Sequence, residues 1–450
     1  MRIHFIAIGG SAMHNLAIAL SALGHEVSGS DDEVYEPSKS RLNAKGLLPD
    51  KMVWDAANIT ADLDAVILGM HAKKDNPELL KAQDLGLKIY SYPEFLFEQS
   101  KNQTRVVIAG SHGKTTITAM ILHVMHYLDR DVDYMVGAQL EGFDTMVKLT
   151  DSAEFVVLEG DEYLSSPIDL SPKFHKYNAN IALISGIAWD HINVFPDEAF
   201  YKDQFRTFLS TMTNGGILVY NEEDANLVEV VENSDAIIKK YAYQTPDYSI
   251  ENGEVYVETP EGPMPLEVFG KHNMQNLSGA KQICMHMGVT EEDFFEAIMT
   301  FKGASKRLER LFESSDSVIF KDFAHAPSKV KATTNATKEQ YASKSVLACL
   351  ELHTYSSLNK EFIEQYNGAL DAADEAIVFY DPKALEIKKM AAISPEEIKN
   401  AFGREDLKVY TNAQEFQSDL FSRKLQNQIL LMMSSGNYGG LDLNRLENLL

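Results

Sequence analysis

The sequence predicts an α/β fold in three domains, with Rossmann-like sheets at the N- and C-terminal ends and a mostly parallel central sheet. Three observations predict it. Apolar runs of strand length alternate with stretches of helical periodicity along the whole chain. A strand that runs into a glycine turn and then a helix opens the chain and recurs near residue 104. A third restart follows the charged segment 302–313. A chain of 450 residues exceeds what one core usually supports. The expected domains are 1–103, 104–312 and 313–450.

The elements follow in order. Residues 4–8 are an apolar strand ending in Gly9-Gly10. Leu16, Leu20 and Leu23 then recur at about one helical turn. Residues 25–31 read as a second strand with an acid, Asp31, at its end, which completes a βαβ opening, and 65–68 add a strand. The polar run 99–105 reads as a linker. After the strand 106–109 and a tight loop, Ile117, Met120, Ile121, Val124, Met125 and Leu128 share one helical face. Strands are expected at 318–323, 346–350, 376–380 and 429–433.

Composition excludes several classes. A net charge of −25 argues against sequence-independent nucleic-acid binding, which needs a basic surface. It leaves room for an anionic small molecule held by backbone N–H groups. No run of about 18 apolar residues suggests a membrane span. The first residues lack the cationic lead and apolar stretch of a signal peptide, so a cytoplasmic protein is expected. Cys284 and Cys349 are isolated, match no zinc spacing and read as small buried hydrophobes in a reducing compartment. A monomer or weak homodimer is expected.

Six motifs carry chemistry. Gly110-Ser111-His112-Gly113-Lys114-Thr115-Thr116 follows a strand and opens an amphipathic helix, the context of a phosphate loop. Lys114 is expected to reach the β- and γ-phosphates of ATP, and Thr115 to bind Mg²⁺. Ile108 stands where the general pattern has its first glycine. Glu159-Gly160-Asp161-Glu162 clusters carboxylates at a strand end, suited to Mg²⁺. His191, within Trp189-Asp190-His191-Ile192-Asn193, is a candidate metal ligand only because of the company it keeps. His272, Asn273 and Asn276 offer groups to an adenine edge, although a plain helix cap at Asn273 reads equally well. Arg307, in the basic run 302–310, could stabilise a transferring phosphoryl group. Asp322 and His325, within Lys321-Asp322-Phe323-Ala324-His325-Ala326-Pro327, combine a strand-end acid with a helix start, either a ribose contact or only a turn.

The ordered set, with the opening Ile8-Gly9-Gly10-Ser11-Ala12-Met13, resembles the Mur ligase family over the whole chain. Within it the chain is most similar to members that attach the tripeptide L-alanyl-γ-D-glutamyl-meso-diaminopimelate to UDP-N-acetylmuramate. The resemblance implies a UDP-sugar site with Gly9, Gly10, Ser11, Ala12, Met13, Ser30, Asp31 and His71 in the first domain. It implies ATP and Mg²⁺ in the second, and an amine substrate brought by the third. Lys114, His191 and Arg307 would be catalytic, with Thr115, Glu159 and His191 as metal ligands. A carboxylate would attack the γ-phosphate of ATP, and the amine would then displace phosphate from the acyl phosphate. Because Asp322 belongs to the third domain, ATP would favour closure.

The chain departs from the family pattern at Gly186, Asn193 and Ala326. Arg206 stands where several relatives carry a carbamylated lysine, and 350–357 lacks the arginine usual near the incoming amine. Two other activities therefore remain beside the tripeptide ligase: a UDP-N-acetylmuramate–L-alanine ligase, and a non-catalytic relative that binds muropeptides or nucleotides. The opening βαβ unit also allows a nicotinamide-dependent oxidoreductase, but Ser11 and His14 stand where its fingerprint needs glycines.

Overall fold

The computed structural model describes residues 1–450 except Glu141, Asp144, Asn252, Ser305 and Lys306. The chain forms two compact units. Unit 1 holds 1–187, 199–243 and 279–293, and unit 2 holds 188–198, 244–278 and 294–450.

Unit 1 contains two α/β sheets. The first is fully parallel, in the order Glu26–Ser30, Arg2–Ile6, Ala65–Leu68, Ile89–Ser91. Its first strand stops at Ile6 rather than residue 8. Ala7 turns to φ 68°, and the amides of Ala7 and Ile8 both donate to Ser30 O at 3.0 Å. The helix Ser11–Ala22 follows. The second sheet has seven strands in the order Lys239–Tyr243, Ile217–Asn221, Ile181–Ile184, Thr104–Ala109, Phe155–Glu159, Asp133–Met135, Val147–Lys148. All pairs are parallel except the last. Its central strands are buried on both faces, which is why they read as unbroken apolar runs. The expected linker is shorter than 99–105, because the helix Tyr92–Ser100 and the strand Thr104–Ala109 both extend into it.

Unit 2 is built on a six-stranded sheet in the order Glu309–Glu313, Val318–Asp322, Gln428–Met433, Ser345–Glu351, Glu375–Phe379, Lys408–Tyr410. Only the first strand is antiparallel to its neighbour. A three-stranded antiparallel sheet, Tyr248–Glu251, Glu254–Thr259 and Gly262–Leu266, was not foreseen. Both cysteines are buried, and burial pushes the Cys349 thiol up to about 12. No described helix is long and apolar enough to cross a membrane.

Candidate active site

In unit 1 the strand Thr104–Ala109 delivers the chain into a loop that only glycines allow. Gly110 has φ 123° and Gly113 φ 76°. Gly113 caps the helix Lys114–Tyr127, aiming the amides of its first turn into the loop. The loop is braced by Ser111 N on Gly186 O at 2.9 Å and by the Ser185 hydroxyl on His112 O. Lys114 Nζ donates to Gly110 O and to Glu162 Oε2, both at 2.6 Å. Burial pulls the Lys114 ammonium down, but Glu162, Asp161 and Glu159 outweigh it and hold the ammonium above its ordinary value. Tyr201 Oη adds a longer contact, 3.4 Å from Glu162 Oε1.

One helical position on, Thr115 Oγ1 donates to Glu159 Oε1 at 2.8 Å, while Glu159 Oε2 accepts from Gly137 N at 2.8 Å. A Cβ at Gly137 would lie 2.8 Å from Glu159 Oε1, so glycine is needed for this approach. A hydroxyl and a carboxylate beside a glycine loop at a helix N-terminus are oxygen donors of the kind Mg²⁺ takes. Among the described residues no three His, Cys, Asp or Glu side chains gather into a metal cluster of their own. Arg206, at the position of the carbamylated lysine of several relatives, is engaged by carboxylates of its own helix and of a neighbouring one. Its guanidinium pairs with Asp203 at 2.5 Å and Glu229 at 3.0 Å.

The glycine turn at 9–13 lies in the same unit. Asp31 accepts from Gly9 N of the turn on one carboxylate oxygen at 2.7 Å, and from its own neighbour Asp32 N on the other at 3.0 Å. Burial raises the Asp31 carboxyl above its ordinary value despite these bonds. Ser30 is buried and donates to Glu78, whose Oε2 also meets His4 Nε2 at 3.4 Å. Burial pushes the Glu78 carboxyl up, but its hydrogen bonds from His4, Ser30, Asp55 and Asn58 hold it below the usual range. Ser11 is exposed, Ala12 half-buried and Met13 buried at the helix start, and His71 is exposed in a turn. Helix Ser11–Ala22 is tied to the 136–147 segment by Met146 N on Asn15 Oδ1 at 3.1 Å.

Unit 2 carries the second constellation. Asp190 is buried and accepts from His191 N at 2.7 Å and from Lys329 Nζ at 3.2 Å. His191 sits at φ 56°, a left-handed position that the bond to Asp190 helps hold. Burial pushes the Asp190 carboxyl up, yet Lys329, His191 and His325 hold it down at about 2. His325 Nδ1 donates to Phe323 O at 2.9 Å, and burial, aided by Lys329, lowers its imidazole to about 4. Tyr366 Oη donates to His325 O. Asp322 accepts from Leu308 N and Ala324 N, each at 2.7 Å. The Arg307 guanidinium lies 4.9 Å from the centre of the Phe323 ring. His272, Asn273 and Asn276 lie near the start of the helix Lys271–His286. Asn273 is its third residue and donates to Phe269 O at 2.9 Å, so it is not the helix cap. Burial pushes His272 down against the pull of Asp322. Ser305 and Lys306 of the basic run lie outside the described residues.

Glu162 and Lys329 were missed as partners. The first stood in a quoted motif without a role, and the second is separated from Asp190 by 139 positions.

A model of the Mur ligase family catalytic domain matches residues 2–104, and one of the Mur ligase middle domain matches 108–284. The UDP-N-acetylmuramate–L-alanine ligase of Persephonella marina is 31% identical over 375 residues, 81% of this chain and 79% of that protein. The crystal structure of a murein peptide ligase from Psychrobacter arcticus shares the fold, at TM-score 0.69 and 23% identity, covering 100% of this chain and 99% of that one. The UDP-N-acetylmuramate:L-alanyl-γ-D-glutamyl-meso-diaminopimelate ligase of Neisseria meningitides is 26% identical at TM-score 0.61, covering 67% of this chain and 98% of that one. These likenesses define the class as an ATP-dependent ligase that forms carbon–nitrogen bonds. The chain belongs to the Mur ligase family, whose members serve peptidoglycan synthesis and use ATP, generally with Mg²⁺.

Proposed function

We propose that the chain joins the carboxylate of UDP-N-acetylmuramate to the α-amine of L-alanyl-γ-D-glutamyl-meso-diaminopimelate, by way of an acyl phosphate, in peptidoglycan recycling. The observation that carries the ligase chemistry is the Lys114–Thr115 pair. One residue offers an ammonium and the next a hydroxyl already bonded to Glu159.

No protein nucleophile is required, so catalysis is positioning and charge neutralisation. Lys114 exchanges Glu162 for the β- and γ-phosphates of ATP, and the amides of Gly110, Ser111, His112, Gly113 and Thr116 line the phosphate path. Thr115 and Glu159 would hold Mg²⁺ and His191 would be a ligand to a second ion; bound there, the metal would supply Lewis-acid charge at the γ-phosphate. Arg307 meets the charge on the transferring phosphoryl group. His272, Asn273 and Asn276 take the adenine, and Asp322 with His325 the ribose. The UDP-sugar falls to the turn Gly9, Gly10, Ser11, Ala12 and Met13, with Ser30, Asp31 and His71.

The tripeptide is favoured by the likeness to the murein peptide ligase of Psychrobacter arcticus and to the tripeptide ligase of Neisseria meningitides. L-alanine is the second reading, because the 31%-identical relative from Persephonella marina is an L-alanine ligase by name. Phosphate release from ATP with UDP-N-acetylmuramate separates the two. Release with tripeptide and not with L-alanine is expected; release with L-alanine alone moves the activity to the second reading.

A further inference from the structure

Glu351 ends the strand Ser345–Glu351, beside the end of the neighbouring parallel strand Gln428–Met433. It is 4% exposed. A carboxylate so far out of water ordinarily has a cation or a full set of donors. Glu351 has neither. Among the described residues it pairs with no Lys, Arg or His, and all its donors sit on one oxygen. Oε2 accepts from the Ser434 hydroxyl and from Tyr438 N at 2.9 Å. Oε1 accepts from no described residue, and it still touches solvent.

The loop that follows Met433 is shaped around this carboxylate. A Cβ on Gly436 would lie 2.7 Å from Glu351 Oε2 and 3.1 Å from His353 Cγ. Tyr438 Oη donates to both Cys349 O and Met433 O at 2.7 Å, fixing the loop to the two strands. The carboxyl ends of parallel strands are where open α/β sheets bind ligands. One oxygen is therefore held by the fold, and the other, at such an edge, accepts from no described residue.

We propose that Glu351 Oε1 is the subsite for a spare ammonium on the incoming amine substrate, one other than the amine that becomes acylated. The proposal rests on the tripeptide reading above and deepens it. A diaminopimelate-terminated tripeptide carries such an ammonium in addition to its reacting alanyl amine, whereas L-alanine has only the reacting amine. An ammonium on Oε1 would form a charge-assisted hydrogen bond and compensate a carboxylate that the folded chain leaves short of partners. Glu351 would thus determine specificity between acceptors.

The test compares two acceptors in phosphate release by the full chain, with ATP and UDP-N-acetylmuramate. One is L-Ala-γ-D-Glu-meso-diaminopimelate, and the other is the same peptide with 2-aminopimelate in third place, which lacks only the distal amine. The wild type is expected to favour the first by about tenfold or more in kcat/KM, the scale of a hydrogen bond to a charged group. Glu351→Gln is expected to bring that ratio close to one, and Glu351→Asp to leave it intermediate. Equal use of both peptides by the wild type overturns the subsite while leaving the tripeptide reading intact. So does a Glu351→Gln variant that slows both peptides alike and keeps the ratio, as a purely structural role requires. Activity with L-alanine alone overturns the subsite and the tripeptide reading together. If Glu351→Gln does not fold, the ratio of the Glu351→Asp variant decides: an intermediate value supports the subsite, and the wild-type value overturns it.

Discussion

Lys329 stands in the first turn of the helix Pro327–Gln340, where the helix dipole disfavours a cation by roughly 0.3–1 kcal/mol. Asp190 explains its position. That carboxylate is buried, and Lys329 is the cation that pairs with it, at 3.2 Å. Removing one partner leaves a buried charge, so Lys329→Met is expected to cost about 3 kcal/mol in urea unfolding. Lys329→Met with Asp190→Asn should recover most of it; if the double variant is no more stable than the single one, the pair is not what the lysine serves. His325 gives a pH dependence of definite sign. Its folded value, about 4, lies below the ordinary 6.5, so the unfolded chain takes up a proton that the folded chain refuses. Stability should therefore fall as pH drops from about 6.5 to about 4, and His325→Asn should flatten that part of the profile. An unchanged profile would mean that His325 is solvated in solution.

At the scale of elements, the glycine loop 110–113 and the segment 185–187 after the strand Ile181–Ile184 form one braced unit, and the packing around Gly186, one of the departures from the family pattern, shows why a glycine stands there. A Cβ at Gly186 would lie 2.5 Å from His112 Cε1 and 2.9 Å from Asp224 Oδ2, while Asp224 accepts from Ile187 N at 2.8 Å. His112 fills the space an asparagine would need. Gly186→Asn is thus expected to displace His112 and raise KM for ATP about tenfold, the scale of an overpacking penalty. An unaltered KM would show that the loop yields freely. Which elements could be read in advance follows from their chemistry. Buried parallel strands such as Ala65–Leu68 announce themselves as apolar runs, and glycine-to-helix turns by composition. The three-stranded sheet at 248–266 was passed over although Asn252-Gly253 and the alternation of Val255 and Val257 carry a hairpin signal. Its prolines, Pro263 and Pro265, lie in an edge strand, where they cost no ladder bond. Pairings such as Lys114 with Glu162 and Asp190 with Lys329 had no local signal, because 48 and 139 positions separate the partners and only the folded topology brings them together.

For the whole molecule, the three α/β sheets were legible from periodicity, whereas the division into two compact units was not. The chain crosses between units several times, at 187–188, 198–199, 243–244, 278–279 and 293–294, and nothing in its composition marks those crossings. One consequence is that the phosphate loop and the N-terminal glycine turn belong to the same unit, with Arg105 helping to hold it together. Its buried guanidinium donates to the carbonyls of Ser100, Lys101, Gln103, Tyr177 and Asn178 at 2.9–3.2 Å. Ligands for the two loops should therefore stabilise one folded body. At a hundred times its dissociation constant a ligand adds about 2.7 kcal/mol, which corresponds to a rise in Tm of roughly 5–10 °C for a body of some 250 residues. MgATP and UDP-N-acetylmuramate should each raise the melting temperature of the wild type on that scale. Lys114→Ala should lose the MgATP shift and keep the UDP-sugar shift, since the glycine turn does not depend on the lysine. If the variant keeps the MgATP shift, Lys114 does not carry the phosphates. If it loses both, the Lys114–Glu162 pair holds up the unit itself, because the variant then leaves a buried carboxylate without its cation.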